Sequence, residues 1–356
     1  MTSPGPGPRT VRIGRHAVGP GAAEVFLVAE VGNAHDGNLN FAHAFIDAVA
    51  RTGAHAVKFQ THVADAESTP REPFRKRFGH LDSTRMDYWR RMEFTAEQWA
   101  GLKRHADDAG LIFLSSPFSP RAFELLDRLG IAAWKVASGE ANNTPLVELM
   151  LRTGKPLLIS TGMSYRAEIR ECAGLCARRG VPYVLFHCTS SYPCPPEETG
   201  LNVIAELARE FECPVGLSDH SGEVYAPLAA AALGASAIEA HVCLSRDSFG
   251  IDVGASLTPA EIRKLADGLQ SIRRMLLHPV DKDEAARKLE PMRRLFCKSI
   301  VFERDLPAGA VIGPQDLAGK KPGDGVPIGR VAEFYGLKLK RAVARDEALS
   351  PEQFHD

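Results

Sequence analysis

Residues 154–191 read GKPLLISTGMSYRAEIRECAGLCARRGVPYVLFHCTSS, and the architecture of the chain can be worked out from this segment. Two short apolar runs, Pro156–Ile159 and Tyr183–Phe186, each give way to a polar cluster: Ser160-Thr161-Gly162 after the first, His187 to Ser191 after the second. Continuous rather than alternating apolar character predicts parallel strands covered on both faces. The intervening segment reads as a helix closed by Gly180, since glycine at a helix C-terminus adopts the left-handed conformation without a Cβ clash. The repeating unit is therefore strand, polar loop, helix, glycine, strand.

The same unit recurs in both directions. Further apolar runs stand at Val25–Ala29, Ala56–Phe59, Leu111–Leu114, Ala132–Ala137, Pro214–Leu217 and Ala237–Val242, giving eight candidate strands. Gly53, Gly110, Gly130, Gly154 and Gly234 occupy the position of Gly180. Phe41–Thr52 carries apolar residues at helical spacing. Thr95 with Gln98, and Thr258-Pro259 with Glu261, predict capped helix starts. Eight strand–helix units predict an α/β fold of the (β/α)8 TIM-barrel type. A doubly wound sheet would carry a G-x-G-x-x-G fingerprint after its first strand, and the sequence has none there.

Composition bounds the rest. The 356 residues hold 43 Lys+Arg against 44 Asp+Glu, a net charge of −1, which argues against nucleic acid as a partner. Hydrophobic content of 44% is that of a globular chain. Seven cysteines without a Cys-x-x-Cys pair read as reduced thiols of a cytoplasmic protein. The Pro- and Gly-rich start does not read as a signal peptide, and residues 1–20 are expected to be a flexible tail. Ala226–Ala240 is too short and too polar to span a membrane. The barrel is expected over 21–278, a charged helical linker over 279–295, and a small β-rich domain over 296–356. The long segment His62–Met92, with Arg71, Arg75, Lys76, Arg77, Arg85, Arg90 and Arg91 among aromatic residues, is expected to be a lid or binding loop.

In such a barrel the chemistry sits at the C-terminal ends of the strands. Those ends supply two fixed cations, Lys58 and Lys135, and hydroxyls from Ser116, Ser138, Ser160, Ser190 and Ser218. Ammonium groups with directed hydroxyl donors suit a phosphate-bearing ligand. His220 and His241, at the ends of neighbouring strands, are candidate ligands of a divalent metal. His187 is expected to be packed inside instead, and Asp219 to be structural. Glu30, Glu140 and Glu239 are candidate acid–base groups. Glu239 shares a strand face with His241, and its other reading is a buried partner for a neighbouring charge.

The stretches VAEVGNAHDGNL, AVKFQTH, FLSSPFS, WKVASGE, LISTGMS, HCTSSYPCPPEE, GLSDHS and IEAHV occur in the order found in the sialic acid (N-acetylneuraminate) synthases, a group that includes legionaminic and pseudaminic acid synthases. The segment KSIVFERDLPAGAVIGPQDLAGKKPGDGV resembles their C-terminal antifreeze-like (SAF) domain. The resemblance implies condensation of phosphoenolpyruvate with an open-chain sugar aldehyde and water, giving a nonulosonic 2-keto acid and phosphate. It implies a divalent cofactor, Mn2+ or Mg2+, held by His220 and His241. It also places Lys58, Ser116, Lys135, Ser138, Ser160, Ser190 and Ser218 on phosphoenolpyruvate. Glu30, Gln60, Tyr192, Asp252 and Lys321 fall where the group contacts the sugar. Glu140, with Glu30, is the expected catalytic carboxylate. The implied assembly is a homodimer in which one chain's C-terminal domain covers the partner's active site. Departures gather on the sugar side: Ile251-Asp252-Val253 stands where Pro-Asp-His is common, and Lys321 where Arg is common. An unusual acceptor sugar, or a non-catalytic carbohydrate-binding barrel, are the alternative readings.

Overall fold

An antiparallel hairpin, β1 (Val11–Ile13) and β2 (His16–Val18), opens the described part of the chain, within the segment 1–20 that the sequence reading expects to be a flexible tail. The computed structural model describes residues 10–74 and 81–355; Arg75, Lys76 and Arg77 of the expected lid, and the first nine residues of the expected tail, lie outside them. The hairpin is ordered because Val11, Ile13 and Val18 are buried in one cluster with Phe26, Val28, Leu114, Leu158, Val184 and Phe186. Burial of each such side chain is worth about 1.5–3 kcal/mol.

Eight parallel strands follow: β3 (Phe26–Gly32), β4 (Ala56–Thr61), β5 (Ile112–Pro117), β6 (Trp134–Val136), β7 (Leu157–Ser160), β8 (Tyr183–Cys188), β9 (Val215–Asp219) and β10 (Ala237–Val242). They are hydrogen-bonded in the order β5-β4-β3-β10-β9-β8-β7-β6, and β6 lies beside β5 where the ring closes. A short strand β11 (Ser256–Leu257) adds in parallel to β10. Several strands run further into their polar ends than the apolar runs alone suggested. Helices separate the strands as the periodicity requires. Thr95 with Gln98 and Thr258 with Glu261 form capping boxes, and Gly130 and Gly180 end their helices in the left-handed conformation.

Alternation along each strand sorts its side chains into two shells. Leu27, Ala29, Val57, Phe59, Phe113, Leu185 and Ile238 point outward into the layer beneath the helices. Phe26, Val28, Ala56, Leu114, Leu158, Val184 and Phe186 point inward and fill the lower lumen. Gly216 is required at that level, because a Cβ there would stand 2.8 Å from the Phe186 ring and 2.6 Å from the Ala237 carbonyl. The same alternation, carried one or two residues further, turns the polar strand ends into the upper lumen.

The chain divides into two compact units, 1–278 and 279–356. The second holds helices Lys282–Lys288 and Glu290–Phe296, an antiparallel pair β12 (Ser299–Phe302) and β13 (Leu317–Lys320), and several single bridges. Its core is built on Ile300, Phe302, Ile312, Phe334, Leu339 and Phe354. The two helices, which the sequence reading sets apart as a linker, belong to this unit.

Candidate active site

Inward-facing residues at the strand ends enclose a cavity of about 360 Å3, within the range of small-molecule sites. Of the sequence-predicted residues, Glu30, Lys58, Gln60, Ser116, Lys135, Ser138, Ser160, Ser190, Tyr192, Ser218, His220, His241 and Asp252 all line it. Glu140 does not. The lining stops at Gly139, and Glu140 is half-buried with its Oε2 accepting from Asn143 Nδ2 at 2.7 Å. Burial, opposed by that bond and aided by Glu67, raises its pKa. Lys321 lies in the second unit, where its Nζ stands 5.0 Å over the Phe296 ring. His187 is buried outside the cavity, its Nε2 2.8 Å from the Thr199 carbonyl. Asp219 accepts from the Ser221 backbone N–H and hydroxyl.

The floor is a buried charge cluster drawn from the adjacent strands β4, β3 and β10 and, from across the lumen, β6. Lys58 Nζ (β4) lies 2.8 Å from Glu30 Oε2 (β3) and 3.7 Å from Glu239 Oε1 (β10). Lys135 Nζ (β6) lies 3.3 Å from the same Glu239 oxygen and donates to Ser160 Oγ at 2.6 Å. Ser218 Oγ donates to Glu239 Oε1 at 3.1 Å, and Gln60 Nε2 to Glu30 Oε1 at 3.0 Å. All four charged groups are nearly inaccessible to solvent. Burial alone would neutralise them, so their state depends on one another. For Glu239, Lys135 and Lys58 outweigh burial and hold the pKa at about 2. For Glu30 burial prevails over Lys58, and Glu239 adds to it, so the pKa rises. Burial likewise lowers Lys135 despite Glu239, whereas in Lys58 the two carboxylates overcome burial and raise it. Glu30 Oε2 meets only the Lys58 ammonium, off hydrogen-bonding geometry, and Glu239 Oε2 has no hydrogen-bond partner among the described residues.

Close packing at this level extends to the backbone. A Cβ on Gly162 would meet Ser190 Oγ at 2.6 Å, Cys188 Sγ at 2.8 Å and Ser138 Oγ at 2.9 Å. Three groups thus converge over a glycine whose N–H donates to Ser138 Oγ at 3.2 Å.

His220 and His241 face each other with ring centroids 5.3 Å apart. His220 Nδ1 is 2.8 Å from the Thr189 carbonyl, which places the proton on Nδ1 and leaves the Nε2 lone pair on the Tyr192 side, 3.0 Å from that hydroxyl. Burial holds His241 down to about 4, so its ring is neutral near pH 7. Burial lowers the His220 pKa, but Cys188 and the Thr189 carbonyl more than offset it and raise it overall. Two imidazoles converging on a polar cavity, His241 neutral, fit a divalent ion. A different cluster, His16, Glu24 and His55, also gathers three potential ligand atoms. It stands at the opposite end of the barrel, before β3 and β4. His55 Nδ1 accepts from Leu27 N–H at 2.9 Å and His16 Nε2 from Arg15 Nε at 3.2 Å. Each ring therefore turns an N–H toward Glu24, and neither keeps a lone pair for a metal.

Of the two readings the sequence offers for Glu239, acid–base group or buried partner of a neighbouring charge, the structure supplies the second: Glu239 is the hub of the floor, paired with Lys58 and Lys135. Period-two spacing from His241 was the available signal. Cys188, which shares an inward face with Ser190, also lines the cavity and was missed. Arg85, Tyr88 and Trp89, which the sequence reading carries within its lid or binding loop but does not single out as site residues, form the wall together with Phe118. No local pattern marks them.

Comparison with known proteins shows the family. Over 332 residues the chain is 30% identical to the N,N'-diacetyllegionaminic acid synthase of Campylobacter jejuni, covering 92% of this chain and 99% of that protein. It is 29% identical over 338 residues to the human N-acetylneuraminate-9-phosphate synthase, covering 92% of each. The crystal structure of N-acetylneuraminic acid synthetase from Leptospira borgpetersenii, in complex with citrate, superposes with a TM-score of 0.70 at 29% identity, over 80% of this chain and 98% of that one. Residues 45–280 match the NeuB family and residues 298–355 the SAF domain. The chain belongs to the NeuB family and ends in a SAF domain.

Proposed function

We propose that the protein condenses phosphoenolpyruvate with the open-chain aldehyde of an N-acyl sugar and with water, releasing phosphate and a nonulosonic 2-keto acid. The observation that carries this reading is the cavity floor, where Lys58 and Lys135 are held by carboxylates and surrounded by hydroxyls. Phosphate oxygens of the substrate replace part of the carboxylate contact. The two ammonium groups then stabilise the charge that develops on the phosphate as its C2–O bond breaks, without reorganising. Ser116, Ser138, Ser160, Ser190 and Ser218 orient the phosphate and carboxylate groups. C3 of phosphoenolpyruvate attacks the aldehyde carbon, water adds at C2, and phosphate departs.

His220 and His241 would hold Mn2+ or Mg2+, which when bound supplies Lewis-acid polarisation of the aldehyde oxygen. Gln60, Tyr192 and Asp252 position the sugar. Glu30, whose pKa is raised in the cavity, and Glu140, one residue beyond the lining, are the carboxylates for proton transfer. Lys321 reaches a sugar through a homodimer in which the SAF domain of one chain covers the barrel of the other. Exposed Leu289, Met292, Leu295 and Phe296 are apolar surface available to such a contact. A cytoplasmic location belongs to the same proposal; among the described residues no helix is long and apolar enough to cross a membrane.

The test is incubation of the purified chain with phosphoenolpyruvate, Mn2+ and N-acyl sugars, reading phosphate release and product mass. A product of acceptor plus pyruvate, abolished by chelation, is expected. Glu140→Gln should bind phosphoenolpyruvate normally but turn over at least about 100-fold more slowly. Full activity of that variant would remove Glu140 from the mechanism. Absence of both turnover and phosphoenolpyruvate-induced stabilisation would end the synthase reading.

A further inference from the structure

The wall of the cavity is built differently from its floor. Helix Arg85–Met92 stands on the segment after β4, and its first residue turns into the cavity. The Arg85 guanidinium lies 4.0 Å from the Trp89 ring centroid and 4.7 Å from that of Tyr88. Trp89 stacks in turn on His62 at 4.0 Å, and His62 on Phe118 at 4.6 Å. His62 and Phe118 immediately follow β4 and β5, so this four-layer stack ties the guanidinium to the barrel. His62 is fixed by Glu67, 2.7 Å from its Nδ1, and Trp89 Nε1 donates to Glu72 at 2.8 Å. Among the described residues, the other cations of this helix are committed elsewhere: Arg91 to Asp36 and Asp82, Arg90 to Asp65.

Arg85 is held but not satisfied. Its side chain is only 13% exposed, and buried Nε and Nη1 have no hydrogen-bond partner among the described residues. The nearest carboxylate, Glu72, is 3.5 Å away and off hydrogen-bonding geometry, with its other oxygen taken by Trp89. A buried guanidinium with open donors is costly unless a partner completes it. Its planar fork matches an oxyanion in a way that a lysine or a hydroxyl does not.

We infer that Arg85 is a specificity-determining residue that binds an oxyanion, a phosphate ester or a carboxylate, on the part of the acceptor sugar remote from its aldehyde. The inference rests on the synthase reading above and adds the class of acceptor. The aldehyde end belongs at His220 and His241, beside the floor. The Arg85 stack then meets the distal end of the chain.

The test compares three acceptors with phosphoenolpyruvate and Mn2+: an N-acylhexosamine, its 6-phosphate ester and the corresponding uronic acid. The wild type should favour one of the anionic forms over the neutral parent by at least about 30-fold in kcat/KM, the range of a charge-assisted hydrogen bond. Which form is preferred separates phosphate from carboxylate. Arg85→Gln should collapse that ratio, mainly through the acceptor KM, and Arg85→Lys should recover only part of it. Phosphoenolpyruvate-induced stabilisation of each variant checks that the floor is intact. A wild type that uses the neutral sugar as well as both anionic ones, or a ratio unchanged in Arg85→Gln, overturns the assignment. Loss of phosphoenolpyruvate binding by the wild type itself overturns the synthase reading and the assignment with it.

Discussion

Glu239→Gln removes one charge from the centre of the floor while keeping its shape. In the wild type Glu239 is the common partner of Lys135 and Lys58. Two routes give the size of the effect. The pKa of Glu239 falls from its ordinary 4.5 to about 2, which corresponds to about 3 kcal/mol of stability. Removing one member of a buried ion pair costs about 3–5 kcal/mol. The sign follows from the depressed pKa: the contribution is complete above about pH 4.5 and is lost only as pH falls toward 2. The deficit of the variant should therefore be flat between pH 5 and 8. All three tryptophans, Trp89, Trp99 and Trp134, lie in the barrel unit, so their fluorescence in a urea titration follows that unit alone. The midpoint should fall by about 1 M at a slope of about 3 kcal/mol per molar. Saturating phosphoenolpyruvate should restore most of the difference, because its phosphate supplies the missing negative charge. A variant within about 0.5 kcal/mol of wild type, or a deficit that the ligand leaves untouched, would show that Glu239 does not act as the counter-charge of the lysines.

Two further outcomes follow from the packing. Gly162→Ala places a methyl among Ser138, Cys188 and Ser190 and should weaken phosphoenolpyruvate at least about 10-fold by calorimetry while the barrel still folds, since overpacking costs about 1–3 kcal/mol; unchanged affinity would separate those serines from the substrate. Ile13→Asp puts a charge into the sealed base of the lumen and should lower barrel stability by at least about 3 kcal/mol in the same urea titration; a change under about 1 kcal/mol would mean that the hairpin is not part of the barrel core.

The sequence by itself determined the barrel and the composition of its mouth. Both are local properties. Strand and helix follow from apolar runs separated by capped, glycine-terminated segments. Alternation then assigns faces: once Ala56 points inward, so do Lys58 and Gln60, and once Ala237 does, so do Glu239 and His241. That is why most of the expected residues line one cavity. What only the tertiary structure decided depends on groups distant along the chain. Lys58, Lys135 and Glu239 meet because the closed ring brings β4, β6 and β10 across one lumen, and their charge states are consequences of that meeting. The hairpin over 11–18 looks like a tail in one dimension because its three apolar side chains have value only beneath a barrel that they help to close. Glu140 fell outside the lining because the chain turns away after Gly139. Arg85 opens a short helix inside a basic segment that the sequence reads as a lid or binding loop. Its place on Trp89, His62 and Phe118 comes from stacking among residues up to 56 positions from the first, and no local pattern can encode a contact whose partners are supplied only when the strands close.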